Sequence, residues 1–254
     1  MLTTDVFTSS PKIERIRHEL KRRDLTVIAK DNVTPAMLRI TLKGDDASDF
    51  VSLGADDHIK IFIPTLSGDT ERRDYTPRRY DTSSRTVVID FAIHEAGPAT
   101  QWALNAKIGD VLSIGGPKGS AVVSPDIINW LLVGDETALP AIGRRIEEAL
   151  PGQRISAVIA ITGPDEKQDF TSKAKLDIHW VYRPLSDAAK AALLLQALEQ
   201  VEIARQTFVW VAAEASVTRD VRRYLVEQRG HALTWTKASG YWVKGMADAH
   251  EKFE

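Results

Sequence analysis

Residues 73–78 (RDYTPR) contain the side chains whose types and spacing are best suited to binding a reactive ligand. A strand points alternate side chains to the same face, so Arg73 and Tyr75 can contact one ligand together, while Thr76 adds a hydroxyl and a backbone amide. A cation, an aromatic ring and a hydroxyl suit a flat, redox-active ligand that carries phosphate. We therefore predict that these three residues bind flavin adenine dinucleotide (FAD). The alternative is an exposed polar strand end followed by a turn.

A second segment, residues 90–103, contains a predicted helix start. Gly97 and Pro98 suit this position, because the missing N–H of proline is not needed in the first helical turn. The free amides of that turn can bind a diphosphate, which Arg73 would reach from its strand. Farther along, residues 115–120 (GGPKGS) form a loop whose glycines allow a ligand to approach the backbone closely.

The composition excludes several other classes of function. The chain has 254 residues, enough for two ordinary domains, with 43% hydrophobic and 27% charged residues. Because it has no cysteine, it cannot use disulfides, thiolate catalysis or cysteine-ligated metals. The histidines lack the spacing of a metal-binding motif, and we predict no protein-bound metal. The net charge of −2 gives no overall attraction to nucleic acid. Since we find no signal peptide and no apolar run that could span a bilayer, we expect a cytoplasmic monomer without stable membrane insertion.

The N-terminal region is the most basic part of the chain. Residues 12–23 hold several lysines and arginines, with Ile13, Ile16 and Leu20 at helical spacing. This pattern predicts a basic amphipathic helix. A solvated helix is favoured over one that binds a membrane or a polyanion.

The first half of the chain is predicted to be a small antiparallel barrel. Alternating or β-branched residues separated by turn residues predict six strands, with one helix near Pro98. The predicted strands are residues 25–30, 37–42, 59–63, 75–78, 86–93 and 111–114. With the basic segment, they make a domain of residues 1–124.

The second half, residues 125–254, is predicted to be a Rossmann-like domain with a parallel sheet, because strands and helices alternate. The boundary is placed near residues 124–125. The predicted strands are residues 130–133, 155–161, 178–182 and 208–213, and the predicted helices are residues 138–150, 187–202 and 217–229.

Two loops of this half could bind a dinucleotide, since such ligands lie beyond the carboxyl ends of parallel strands. Residues 134–137 (GDET) follow the first strand, but they lack the G-x-G-x-x-G fingerprint, so a plain connecting loop explains them equally well. Gly163, Asp165 and Glu166 follow the second strand. An acidic group there would bind a ribose 2′-hydroxyl and favour NADH, whereas Lys167 leaves NADPH open. Reduced ferredoxin is a third possible donor of electrons to the flavin.

From about residue 25 to the C-terminus, the sequence resembles the siderophore-interacting protein family of flavin-dependent ferric-siderophore reductases. The matching segments are residues 58–60 (HIK), 73–78 (RDYTPR), 90–91 (DF), 94 (H), 97–99 (GPA), 102–103 (WA), 109–110 (GD), 116–120 (GPKGS), 134–142 (GDETALPAI), 213–215 (AEA) and 240–245 (GYWVKG). Two departures are Ala96, where we expect the family's glycine, and Lys244, where many members carry arginine.

The resemblance implies a ferredoxin-reductase-like fold, bound FAD, and reduction of siderophore-bound iron(III). It implies that Arg73, Tyr75 and Thr76 hold the flavin, with His94, Ala99 and Thr100 along it. The full set predicted to bind cofactor also includes Arg78, Asp90, Gly97, Pro98, Trp102, Gly116, Ser120, Asp135 and Thr137. No residue is assigned a catalytic role, because the reaction would be electron transfer through the flavin.

The chemistry of siderophores fits this resemblance. Siderophores bind iron(III) through hard oxygen donors that bind iron(II) less tightly, so the transfer of one electron to the iron weakens its binding. A ferric triscatecholate is strongly anionic, so its binding site should be basic. The predicted siderophore-binding residues are Lys60, Lys118 and Lys244, which lie in three of the matching segments. The alternative is three solvated lysines. The rival functions are a general flavin or ferredoxin-type reductase, and a module that binds siderophore or flavin without turnover.

Overall fold

The computed structural model describes residues 10–64, 69–93, 97–246 and 249–253, and His94 therefore lies outside the described residues. An antiparallel curled sheet precedes a parallel sheet flanked by helices. The predicted fold class is confirmed at this level.

The predicted N-terminal helix is wrong. Residues 12–23 instead contain strand β1 (Ile13–Arg17) and the beginning of the next strand. β1 pairs antiparallel with β9 (Gly119–Val123), in register from Ile13 opposite Val123 to Arg17 opposite Gly119. None of the five residues of β1 is fully buried, so no core is available for the apolar face of a helix. Pairing with β9 satisfies the backbone without such a core.

The curled sheet contains seven antiparallel strands in the order β5-β4-β8-β2-β3-β7-β6. They are β2 (Arg22–Thr34), β3 (Met37–Lys43), β4 (Ile59–Pro64), β5 (Thr70–Tyr75), β6 (Pro77–Asp81), β7 (Thr86–Ala92) and β8 (Val111–Gly115). The sequence predicted six strands, because residues 75–78 were taken as one. In the structure Thr76 separates β5 from β6, which lie at opposite edges of the sheet. Pro77 has no N–H to continue a ladder, which is consistent with the break.

Alternation along these strands builds the first core. The inward-facing residues include Leu25, Ile40, Ile61, Ile89 and Phe91, all with no exposed surface. Helix α1 (Pro98–Asn105) packs on this core through the buried Ala99 and Ala103.

The second half contains a six-stranded sheet in the order β12-β11-β10-β13-β14-β15. Its strands are β10 (Asn129–Gly134), β11 (Arg154–Ile161), β12 (Lys175–Tyr182), β13 (Thr207–Glu214), β14 (Thr236–Trp242) and β15 (Glu251–Phe253). The first five are parallel, and β15 runs antiparallel to β14. The four predicted strands are present, whereas β14 and β15 were not predicted.

The helices of this half are shorter than predicted. They are α2 (Leu139–Glu147), α3 (Ala192–Glu199) and α4 (Ala215–Arg223). A separate 3-10 turn at Leu185–Asp187 precedes α3, and a π-helical turn at Tyr224–Gln228 continues α4. β9 and β10 belong to different sheets. The division of the chain near residues 124–125 remains our proposal.

Buried arginines connect the two halves. Arg144 of α2 donates to the Ser52 hydroxyl (2.7 Å), the Ser52 carbonyl (2.7 Å) and the Pro77 carbonyl (3.2 Å). In the opposite direction, Arg78 of β6 donates two hydrogen bonds to Glu147 of α2, at 2.8 and 2.6 Å. α2 is therefore anchored to Pro77 and Arg78, which directly follow the Thr76 break and belong to the predicted flavin motif.

Candidate functional site

Arg73 and Tyr75 share one face of β5, as the sequence predicted. They lie opposite Ile61 and Ile59 of β4, which face the core. The ring of Tyr75 packs on Phe91, with centroids 4.5 Å apart, and Phe91 packs on Trp102 of α1 at 5.9 Å. Burial raises the pKa of the Tyr75 hydroxyl, which therefore stays neutral. These ring contacts link the strand motif to α1.

The N-terminus of α1 suits a phosphate group. Gly97 is the N-cap in an extended conformation, Pro98 occupies the first turn, and no side chain caps the amides. The amides of this turn therefore stay available to an anion, and the helix dipole favours negative charge there. The side chains of Ala99 and Thr100 are buried in the helix packing, so these two residues can offer a ligand their backbone amides.

Arg73 can supply the matching cation. Its guanidinium currently contacts Glu71 at 2.5 Å and donates to the Arg72 carbonyl at 2.7 Å. An incoming phosphate would have to compete with Glu71, which is a neighbour on the same face of β5. A cation on the face of Tyr75 and an uncapped helix start fit the diphosphate and the ring of FAD.

Thr76 lies where the flavin motif meets the parallel sheet. It is buried, and its side chain approaches the hydroxyl of Tyr241 on β14 closely enough to oppose the effect of burial on the pKa of that hydroxyl. Burial raises the pKa of Tyr241 well above its ordinary value. Tyr241 also packs edge-on against Trp210, with centroids 6.0 Å apart. Local sequence patterns do not predict this proximity, because Tyr241 lies 165 residues beyond Thr76.

Arg78 and Asp90, both predicted to bind cofactor, are almost fully buried in an ion cluster. Asp90 accepts two hydrogen bonds from Arg39, at 2.6 and 2.7 Å, and lies 3.7 Å from Arg78. Arg78 donates to Glu147. Since both side chains are already bonded within the protein, we propose that they hold the flavin motif in place.

Gly116 and Ser120 have similar internal contacts. The Gly116 carbonyl accepts from Arg23 at 3.2 Å. The buried Ser120 hydroxyl donates to Asp57 at 2.5 Å and accepts from the Leu53 amide at 3.0 Å. These contacts fix the loop before β9, and a role in cofactor binding remains a prediction.

Asp135 organises the carboxyl edge of the parallel sheet. One carboxylate oxygen accepts from the amide (2.9 Å) and hydroxyl (2.6 Å) of Thr137. The other accepts from the Glu214 amide (3.0 Å) and the Trp242 indole (2.9 Å). Asp135 is 1% exposed, so these bonds form out of water. They join the ends of β10, β13 and β14, where parallel sheets bind nucleotides.

Glu214 extends this edge to the C-terminal segment. One of its oxygens caps α4 by accepting from the amides of Ser216 (2.7 Å) and Val217 (3.3 Å). The other accepts from the Lys244 amide at 3.2 Å. Burial acts to raise the pKa of Glu214, but the hydrogen bonds it accepts lower it overall, so the cap stays charged.

The expectation that Glu166 binds a ribose is not supported. Its carboxylate is buried and accepts from the Thr34 hydroxyl (2.5 Å) and the Ala36 amide (2.9 Å) of the β2–β3 turn. Glu166 therefore connects the two halves. Asp165 is exposed, and the Lys167 ammonium lies over the Tyr182 ring at 5.6 Å. The choice between NADH and NADPH stays open on these residues.

The three predicted docking lysines lie on different elements. Lys60 is on the outer face of β4 and forms an ion pair with Asp74 at 2.9 Å. Lys118 is exposed in the loop between β8 and β9. Lys244 follows β14, and its ammonium donates to the Ser186 carbonyl at 3.3 Å. Their convergence on one ligand remains a prediction.

Comparisons with known proteins agree with this geometry. A model of the siderophore-interacting protein family matches residues 128–245, and a model of the siderophore-interacting FAD-binding domain matches residues 26–72 and 68–121. The chain belongs to the siderophore-interacting protein family. The FAD-binding match covers the half that contains β5 and α1.

Relatives and solved structures extend this match over nearly the whole chain. The NADPH-dependent ferric-chelate reductase of Escherichia coli K12 is 32% identical, covering 90% of this chain and 96% of that protein. The ferric vibriobactin reductase ViuB of Vibrio cholerae is 28% identical, covering 93% of each. A siderophore utilization protein from T. fusca has a TM-score of 0.87 at 32% identity, covering 94% of this chain and 98% of that one.

Within this siderophore-interacting protein, Arg73→Ala should weaken FAD binding by about 1.5–3 kcal/mol, or roughly ten- to a hundredfold. The change removes a charge-assisted contact with phosphate. The measurement is flavin retained after dilution. Arg72→Ala is the matched control, because Arg72 points to the opposite face of β5 and should leave flavin content unchanged. Full retention in Arg73→Ala would exclude Arg73 as a phosphate ligand.

Proposed function

We propose that this protein is an FAD-dependent ferric-siderophore reductase, which passes electrons from NAD(P)H through FAD to siderophore-bound iron(III) and releases iron(II). One observation carries the proposal. Thr76 of the flavin motif lies beside Tyr241 of β14, next to the strand end at which Asp135 and Glu214 meet. A flavin held by the motif would therefore face the edge where a nicotinamide nucleotide binds.

The side chains of this site are suited to positioning the flavin and to neutralising the charge of its diphosphate. Arg73 and the first turn of α1 are suited to the diphosphate, and Thr76 offers a polar group at the edge of the ring. When bound, FAD supplies the step that the protein cannot, since it accepts a hydride as a pair and passes electrons singly. The basic side chains outside this site would attract the anionic iron chelate.

We propose NADPH as the electron donor. The E. coli relative is named as NADPH-dependent, which favours NADPH here. NADH and reduced ferredoxin remain alternatives. A monomeric state and a cytoplasmic location also belong to the proposal. No helix in the described part of the chain is long and apolar enough to cross a bilayer.

An assay with an iron(II) trap separates the candidate functions. The purified protein receives NADPH or NADH, a ferric siderophore and the trap. A ferric-siderophore reductase forms trapped iron(II) at a rate that depends on the siderophore. A general flavin reductase forms trapped iron(II) only when free flavin is added, and a binding module forms no iron(II). Either of these two results would reject the proposal.

Neutralising Lys244 should weaken binding of an anionic ferric siderophore about three- to tenfold at low salt and less at high salt. The lost interaction is electrostatic, and salt screens such interactions. Flavin content should not change, because Arg73 and α1 serve the phosphates. The measurement is a titration of the wild type and Lys244→Ala at two salt concentrations. Equal affinities at both would show that Lys244 is only a solvated side chain.

A further inference from the structure

A cleft lies between the two halves of the chain. Its free volume is about 540 Å³ when its open mouth is included, which is enough for a small ligand built on one aromatic ring. The first half contributes the loop before β4 and strand β9, and the second half contributes α2 and one face of the parallel sheet. The lining includes Ala121, Trp130, Arg145, Phe208, Trp210 and Lys237.

This cleft is separate from the flavin motif and from the proposed nicotinamide site. Of the described residues that line it, none belongs to the set predicted to bind FAD. Trp130 is the second residue of β10, five residues before Asp135, so at about 3.3 Å per residue it lies about 16 Å from the carboxyl edge of the sheet. Phe208 lies opposite Trp130 on β13. The cleft therefore opens near the amino ends of these strands.

Three aromatic rings form the sheet side of the cleft. Trp130 packs on Phe208, with centroids 5.0 Å apart. Trp210 follows Phe208 on the same face of β13, and its indole donates to Asp56 at 3.1 Å. Aromatic rings of this kind favour stacked or edge-on contact with another flat ring.

Arg145 of α2 is a cation of this cleft whose hydrogen-bonding capacity is not filled. Its Cζ atom lies 3.9 Å from the centroid of the Trp130 ring, and one terminal nitrogen donates to Gln153 at 3.0 Å. The Nε atom is buried and has no hydrogen-bond partner. Burial lowers the pKa of Arg145 from its ordinary value. A carboxylate placed beside this guanidinium would pair its charge and accept from Nε.

The other charges of the cleft are already paired. The Lys237 ammonium lies 2.5 Å from the Asp56 carboxylate. Glu148 accepts from Nε of Arg144 at 2.7 Å. Within the described ranges no carboxylate forms an ion pair with Arg145. The cleft therefore keeps one uncompensated positive charge next to its aromatic wall.

We infer that the cleft binds a small aromatic carboxylate, with its ring against Trp130, Phe208 and Trp210 and its carboxylate on Arg145. The planar guanidinium matches a carboxylate through two parallel hydrogen bonds, and the rings supply the apolar contact. Because both halves line the cleft, the ligand stabilises the contact between them. The inference does not depend on the proposed function, since it requires neither flavin nor turnover.

Benzoate is the probe for this site. The protein as purified, labelled with ¹⁵N in its tryptophans, is titrated with benzoate, with benzamide, which has the ring without the charge, and with cyclohexanecarboxylate, which has the charge without the aromatic ring. The chain has six tryptophans, of which Trp130 and Trp210 line the cleft, so their indole N–H signals report where the probe binds.

Two variants and one control accompany the titration. Arg145→Gln removes the guanidinium. Ala121→Leu narrows the cleft from the side of β9, at a half-buried position, and leaves Arg145 in place. Arg154→Gln is the control, because Arg154 is exposed at the start of β11 and does not line the cleft. The thermal midpoint of each protein is measured with and without benzoate.

Benzoate should bind with a Kd of about 1 mM or lower, move the Trp130 and Trp210 signals and raise the thermal midpoint. The two analogues should bind the wild type at least about tenfold more weakly, as should benzoate with Arg145→Gln and Ala121→Leu, whereas Arg154→Gln should match the wild type. If Arg145→Gln does not fold, Ala121→Leu and the analogues decide the outcome.

Three results would overturn the inference. They are the absence of benzoate binding, benzamide binding as tight as that of benzoate, and signal changes confined to the other four tryptophans. Protein purified without flavin would contradict the proposed function, but it would still bind benzoate in this cleft.

Discussion

Replacing Glu147 with glutamine should lower the free energy of unfolding by about 3–5 kcal/mol at neutral pH. Among the described residues, the variant would leave Arg78, whose side chain is 2% exposed, with only Asp90 as a nearby carboxylate, at 3.7 Å. Removing one partner of a buried ion pair lowers the free energy of unfolding by far more than an exposed ion pair contributes to it. The measurement is urea-induced unfolding at pH 7. Arg79→Gln is the control, since Arg79 is an exposed partner of Glu147 and should cost less than about 1 kcal/mol.

The loss should depend on pH in a defined direction. Burial acts to raise the pKa of Glu147, but Arg78 and Arg79 outweigh it and hold the pKa below the usual 4.5. A depressed pKa in the folded state contributes stability above the usual value, and this contribution is lost as pH falls through the folded pKa. The wild type should therefore approach the variant in acid. A difference that stays constant from pH 7 to pH 3 would contradict this account of the cluster.

Asp135→Asn should lower stability by about 3 kcal/mol and reduce kcat with NADPH more than tenfold. Asparagine has one carbonyl oxygen, so it cannot accept both from Thr137 and from the Glu214 amide and Trp242 indole. Two buried donors would then face an NH2 group. The Trp242 segment would lose its anchor at the edge where we propose that the nicotinamide binds.

The controls for this prediction separate the donor site from the flavin site. FAD content should remain that of the wild type, because Arg73 and α1 lie on the other half of the chain. Thr137→Val removes one donor to the same carboxylate and should cost about 1 kcal/mol. If Asp135→Asn keeps the stability and the NADPH kcat of the wild type, Asp135 does not organise this edge.

Local patterns predicted the strands and the flavin motif because alternation is read within a few residues. Arg73 and Tyr75 share a face, and Gly97 and Pro98 begin a helix, both as the sequence indicated. The helix predicted for the basic N-terminal segment is wrong, because the spacing of Ile13 and Ile16 also fits a helical period. The partner that decides their conformation, β9, lies about a hundred residues away.

The interactions between the two halves could not be read from local patterns. Arg78 and Glu147 are 69 residues apart, and Glu166 bonds to Thr34 across 132 residues. An isolated glutamate after a strand predicts a ribose ligand and an interdomain bond equally well. Only the fold shows that the Glu166 carboxylate is occupied.

The most direct test of the account is the visible absorption spectrum of the purified protein, recorded without oxygen. A ferric-siderophore reductase should show a flavin spectrum that NADPH bleaches and that a ferric siderophore restores, with two iron(II) ions trapped for each flavin. Absence of flavin absorption, or a bleached flavin that the ferric siderophore does not restore, would contradict the proposal that this protein is a ferric-siderophore reductase.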